Sequence, residues 1–122
     1  MDGDAAMTLT TTILNRTVTC TVTPLDDGIH VLLAGGDKGH IGAVSVCDPG
    51  AAPETMTCRG IKEQYIAVPM VQKAIADAAG QRCCTVCGIH YDNATPQQIS
   101  AVMEGCDGLL SQLLTQLPDL LK

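Results

Sequence analysis

The sequence predicts an α+β fold, an antiparallel-rich sheet of about five or six strands with two helices packed on one face. Three observations predict it. Segments rich in Thr, Val and Ile fill the first half of the chain and alternate apolar and polar residues with a period of two. The last quarter carries apolar residues at helical spacing behind a clear start signal. Short clusters of Gly, Pro, Asp and Asn punctuate the rest, and neither a linker nor an internal repeat interrupts it.

Residues 1–7 read as a disordered leader and 8–122 as a single domain. Residues 8–13 and 17–25 suit two strands joined by a turn at Asn15-Arg16. In the second, Val18, Cys20 and Val22 alternate with threonines, the pattern of a half-buried antiparallel strand. Asp26-Asp27-Gly28 is a turn signal. A third strand follows over 29–34 and a fourth over 41–47, with a glycine-rich stretch between them. A short strand is expected at 55–58 and a helix from 63 to 79, where Pro69 implies a late start or a kink and Gly80 a left-handed stop. Residues 82–90 return as a strand. The second helix is the best defined. Thr95 is its N-cap, Pro96 its first residue, Gln98 completes a capping box, and Pro118 is expected to end it. Its leucine-rich stripe over 99–117 either packs on the sheet or adds a subunit contact, and the core role is preferred.

Composition excludes several functions. The chain has no Trp or Phe and two Tyr, so its core is aliphatic and it lacks stacking platforms for single-stranded nucleic acid. A net charge of −6 with scattered Lys and Arg gives no basic footprint for nucleic acid. No apolar run is long enough to span a bilayer, and the acidic start is unlike a signal peptide, so the expected location is cytoplasmic. The seven cysteines are odd in number and unmatched by a secretion signal. Cys84 and Cys87 have Cys-x-x-Cys spacing, but a strand points them to opposite faces, so a buried-core role is favoured over chelation.

Polar groups at three breaks in the apolar pattern remain as candidates. The stretch from Gly35 to Val44 holds Gly35, Gly36, Asp37, Lys38 and His40. Lys62-Glu63 opens the first helix, and His90-Tyr91-Asp92 ends the last strand. If the strands ending near residues 34 and 90 are neighbours, these places converge on one edge of the sheet. The glycine-rich stretch with Lys38 and Lys62 then offers backbone N–H groups and charge to a phosphate. It matches neither the P-loop nor the Rossmann pattern. His40, His90, Asp92 and Glu63 form a mixed imidazole and carboxylate set suited to a divalent metal. Turn chemistry and strand-end hydrogen bonds account for the same residues without a ligand.

Three segments together resemble the LpdD-like proteins, the small subunits associated with gallate-type decarboxylases. They are Gly35-Gly36-Asp37-Lys38-Gly39-His40-Ile41-Gly42-Ala43-Val44, Gly60-Ile61-Lys62-Glu63 and Gly88-Ile89-His90-Tyr91-Asp92-Asn93. The resemblance spans residues 8–117. It implies a non-enzymatic chaperone that binds prenylated FMN and delivers it to a UbiD-type decarboxylase apoenzyme, with a flavin prenyltransferase as source and homo-oligomers allowed. By the same resemblance, Gly35, Gly36, Asp37, Lys38, His40, Lys62 and Tyr91 hold the cofactor, and His40, His90, Asp92 and Glu63 a metal. The family's second motif usually carries His where Ile61 stands, so one imidazole is missing here. Two alternatives stay open: a metal-dependent enzyme or metal-binding protein using His40, His90 and Asp92, and a structural accessory subunit docking through the 99–117 helix.

Overall fold

The computed structural model describes residues 6–57, 62–70 and 75–121, with the side chains of 62–64 outside the description. Six strands form one sheet: β1 (Met7–Ile13), β2 (Arg16–Leu25), β3 (Gly28–Gly36), β4 (Lys38–Cys47), β5 (Glu54–Thr57) and β6 (Cys83–His90). Their spatial order is β1-β2-β3-β6-β4-β5. All neighbouring pairs are antiparallel except β3 and β6. The α+β expectation therefore holds, with one parallel pair at its centre.

Alternation in the sequence maps directly onto the two faces. Val18, Cys20 and Val22 of β2 are buried beside Val31 and Leu33 of β3 and Cys87 of β6. The outward threonines of β1 and β2 pair with one another across the strands, Thr8 with Thr21 and Thr10 with Thr19. Pro24 lies beyond the last β1 partner, where a missing N–H disturbs no β1–β2 bond. Leu14 and Asn15 take positive φ in the tight β1–β2 turn.

The helical segments α1 (Lys62–Pro69), α2 (Ala76–Ala79) and α3 (Pro96–Leu120) contribute to the same core as the buried sheet face. The helix expected over 63–79 is described at its two ends, Lys62–Pro69 and Ala76–Ala79, with residues 71–74 outside the description. Pro69 stands within the first of these, the position where the sequence implied a kink or a late start. The second stops as expected, with Gly80 at φ 67° donating its N–H to Ala76 O. The expected fifth strand starts one residue early, at Glu54, and is described to Thr57; Cys58 lies outside the described residues.

Helix α3 begins on the expected capping box. Thr95 accepts from Gln98 N–H, and Gln98 Oε1 accepts from Thr95 N–H at 2.8 Å. It runs past Pro118, contrary to expectation, because Leu121 N–H still reaches Leu117 O at 3.0 Å and Leu117 is buried. Val102, Cys106, Leu109, Leu113 and Leu117 of α3 are buried, which gives the leucine stripe to the core. Gly105 is a packing feature as well as a weak helix former: a Cβ there would run into the Ile13 side chain of β1.

The cysteines follow the core pattern. Cys20, Cys47, Cys83, Cys87 and Cys106 are buried and Cys84 half-buried, and none of these six is in a disulfide. Burial pushes the thiols of Cys20 and Cys106 up to about 12, which leaves them protonated and unreactive. None of the described helices is long and apolar enough to cross a membrane.

Candidate functional site

The β3–β6 parallel pairing decides where the polar residues meet. Gly36 lies opposite His90 in that register, and Lys38 lies opposite His90 from the other side, across the β4–β6 pair. The end of β3, the start of β4 and the end of β6 therefore share one corner of the sheet. Between them is not an open loop but a turn at Asp37, which separates two strands directly.

Asp37 ties this corner together. Its N–H donates to His90 O at 2.8 Å. Its Oδ2 accepts from Asp92 N–H at 2.9 Å, and its Oδ1 accepts from Arg16 Nε at 2.7 Å. The Asp92 N–H and then the Arg16 guanidinium hold the Asp37 carboxyl below the usual carboxylate range. A carboxyl depressed in this way contributes order above the ordinary carboxylate range, and the contribution is lost as pH falls through its lowered value. The Asp37 side-chain carboxyl carbon is thus expected to titrate below the ordinary carboxylate range in a pH series of carbon-detected NMR spectra. Arg16→Ala should move that midpoint up, and an Asp37 midpoint in the ordinary range would contradict the bonding.

The two histidines come together through a bulge. The β4–β6 register shifts between Gly39 and Ala43, so His40, Ile41 and Gly42 face the single residue Gly88. A Cβ at Gly88 would collide with the His40 carbonyl, so the bulge lies directly over the glycine's bare backbone. This brings the His40 ring edge-on to the His90 ring, with centroids 6.0 Å apart and planes at 90°. His40 Nε2 is shielded from solvent. His90 Nε2 lies 2.9 Å from Asp92 Oδ1. Strand alternation puts His90 on the face opposite the helices, with Cys84, Val86 and Gly88.

The glycines at Gly35 and Gly36 serve chain packing. A Cβ on Gly35 would strike Thr17 O of β2, and one on Gly36 would strike His90 O and press on the Tyr91 ring. The Asp37 N–H is spent on His90 O. The Asp37 N–H is therefore not available to a phosphate, and Gly35 and Gly36 pack closely against β2 and the end of β6. Lys38, at the start of β4, is an exposed cation at this corner, and Arg16 is paired with Asp37.

Tyr91 donates its hydroxyl to Ile13 O at 2.7 Å and packs against the core, so it braces the corner from the helix side. Burial raises its hydroxyl above the ordinary range. The side chains of Lys62 and Glu63, and the whole of Ile61, lie outside the described residues. Among the described residues, which leave out the Glu63 side chain, no group of three or more His, Cys, Asp and Glu is arranged to hold an ion. His90 and Asp92 bond each other instead of converging on a common centre.

Sequence reasoning missed two contributors. Arg16 opens β2, twenty-one residues before its Asp37 partner, and nothing local marks it. Gly88 had a signal, since a glycine inside a strand marks close backbone approach.

The sequence profile of the prenylated flavin chaperone LpdD-like domain matches residues 12–118. No curated protein sequence matches the chain. Among solved structures, a chain from a chaperone complex for yeast 20S proteasome assembly is similar in fold, with a TM-score of 0.52. The two are 16% identical, and the alignment covers 90% of this chain and 98% of that one.

Proposed function

Since the chain belongs to the prenylated flavin chaperone LpdD-like family, we propose that it binds prenylated FMN as cargo at the His40–His90 corner. It passes the cofactor to a UbiD-type decarboxylase apoenzyme, and a flavin prenyltransferase is the source. The protein acts in the cytoplasm and carries out no reaction on the flavin.

The observation that carries this reading is the pair of imidazoles gathered over Gly88 beside Lys38. A flavin mononucleotide presents a dianionic phosphate and a ring edge with several hydrogen-bond acceptors and donors. In a chain of net charge −6, such an anion needs a local cation, and exposed Lys38 stands at this corner, while Arg16 is paired with Asp37. His40 and His90 supply ring nitrogens that either donate or accept. The Asp37 contacts to Arg16, His90 O and Asp92 N–H fix the corner before ligand arrives, which lowers the ordering cost of binding. Gly35 and Gly36 shape the corner, and Tyr91 braces it from behind. Lys62 is a further candidate for the phosphate.

The test is transfer. Purified protein loaded by co-expression with a flavin prenyltransferase is mixed with decarboxylase apoenzyme, and decarboxylation is followed after the carrier is removed. The reading predicts that loaded protein activates the apoenzyme and that protein expressed without the prenyltransferase does not. Equal activation by both would overturn it.

A further inference from the structure

The ring of His90 stands at the end of a chain of bonds that begins two strands away. Arg16 Nε donates to Asp37 Oδ1 at 2.7 Å, and the Asp92 N–H donates to Asp37 Oδ2 at 2.9 Å. That second bond fixes the backbone of Asp92 just beyond the end of β6. From there the Asp92 carboxylate reaches back two residues, and its Oδ1 lies 2.9 Å from His90 Nε2. The Asp37 N–H also donates to His90 O at 2.8 Å. Both members of the His90–Asp92 pair are therefore anchored on Asp37 before their side chains meet.

This pair decides which ring nitrogen carries the proton. A carboxylate only accepts, so a neutral imidazole bonded to it through Nε2 carries its hydrogen there. The other nitrogen, Nδ1, keeps its lone pair, and among the described residues no hydrogen bond occupies it. The His90 side chain is 48% exposed, which leaves the ring within reach of a ligand. Asp92 is more exposed still and takes no part in the core. A carboxylate also repels an anionic ligand, so direct contact with a phosphate does not explain it. Its bond to His90 does.

We propose that Asp92 is a positioning residue: it holds His90 as the Nε2–H tautomer, so that Nδ1 accepts a hydrogen bond from an N–H donor of the bound cofactor. The identity of that donor rests on the prenylated FMN reading, whereas the tautomer does not. On the isoalloxazine the matching group is the imide N–H, which lies between two carbonyls. His90 thereby sets the orientation of the ring, with its imide edge at the corner. The Arg16–Asp37 bond acts one step further back, through the backbone of Asp92. An orienting partner behind the contacting imidazole is how proteins fix which nitrogen faces a ligand.

Nitrogen-15 NMR of the labelled full chain at about pH 8, above the ordinary imidazole range, reads the tautomer directly. Wild-type His90 should carry its proton on Nε2 with Nδ1 bare. Asp92→Ala, at an exposed position, should fold normally and let the ring exchange between both tautomers. Calorimetric titration with prenylated FMN reads the consequence. Asp92→Ala should weaken binding by about tenfold. In the His90→Ala background the same substitution should change nothing further, because Asp92 acts through His90. A wild-type His90 protonated on Nδ1, or an equal loss from Asp92→Ala with and without the His90 ring, would overturn the proposal while leaving the cofactor reading intact. Wild-type protein that shows the Nε2–H tautomer and binds no prenylated FMN would instead overturn the cofactor reading and the imide contact together.

Discussion

Gly88→Ala is expected to lower the melting temperature by about 10 °C. The added Cβ would fall on the His40 carbonyl, a backbone group held by the strand pairings on both sides of the bulge. Overpacking of this kind costs about 1–3 kcal/mol, and a backbone obstacle puts it at the upper end. For a chain of this size roughly 4 °C accompanies each kcal/mol. Relief comes only if the bulge lifts, which separates His40 from His90, so the same substitution should also abolish cofactor retention. Gly108→Ala is the control. It lies in α3 with open space where a Cβ would go, and it should stabilise the protein by about 0.5–1 kcal/mol. A Gly88→Ala protein that melts within about 2 °C of wild type would show that the bulge does not rest on that glycine.

The second large effect concerns binding. His40→Ala and His90→Ala should each weaken prenylated FMN binding by about 10–100-fold, as loss of a hydrogen bond to a charged or strongly polar group does. The two rings touch edge to face, so the losses should not add: the double variant should fall short of the product of the singles. Isothermal titration calorimetry with prenylated FMN would measure it. His30→Ala, in mid-strand outside the corner, should bind normally.

Much of the fold was legible because period and punctuation agreed. The alternation in residues 17–23 set β2 and its faces, and Thr95-Pro96-Gln97-Gln98 set the start of α3. Single residues misled where tertiary contacts outweighed local rules. Pro118 read as a stop, yet burial of Leu117 and the bond from Leu121 carry the helix through. Gly105, a weak helix former by propensity, is where Ile13 packs into α3. The parallel β3–β6 pairing was conditional in the sequence, because which strands are neighbours depends on the core and not on any one segment.

The corner itself was half legible. Asp37, Lys38, His40 and His90 stood out as polar groups at breaks in apolar runs, and they do meet. Their arrangement did not follow from spacing. The glycines suggested an open anion loop, whereas Gly35 and Gly36 are taken up by contacts with β2 and β6. Spacing likewise showed which candidate metal ligands exist, but not that His90 and Asp92 bond each other. Arg16 became visible only through its bond to Asp37.

The central claim is that prenylated flavin is held by the His40–His90 corner. A native mass spectrum of the protein co-expressed with a flavin prenyltransferase tests it most directly, run beside the His40→Ala/His90→Ala double variant at matched folding by circular dichroism. The account predicts wild-type protein carrying the mass of prenylated FMN and a double variant carrying none. Wild-type protein free of flavin, or a folded double variant that retains it in equal amount, would contradict the claim.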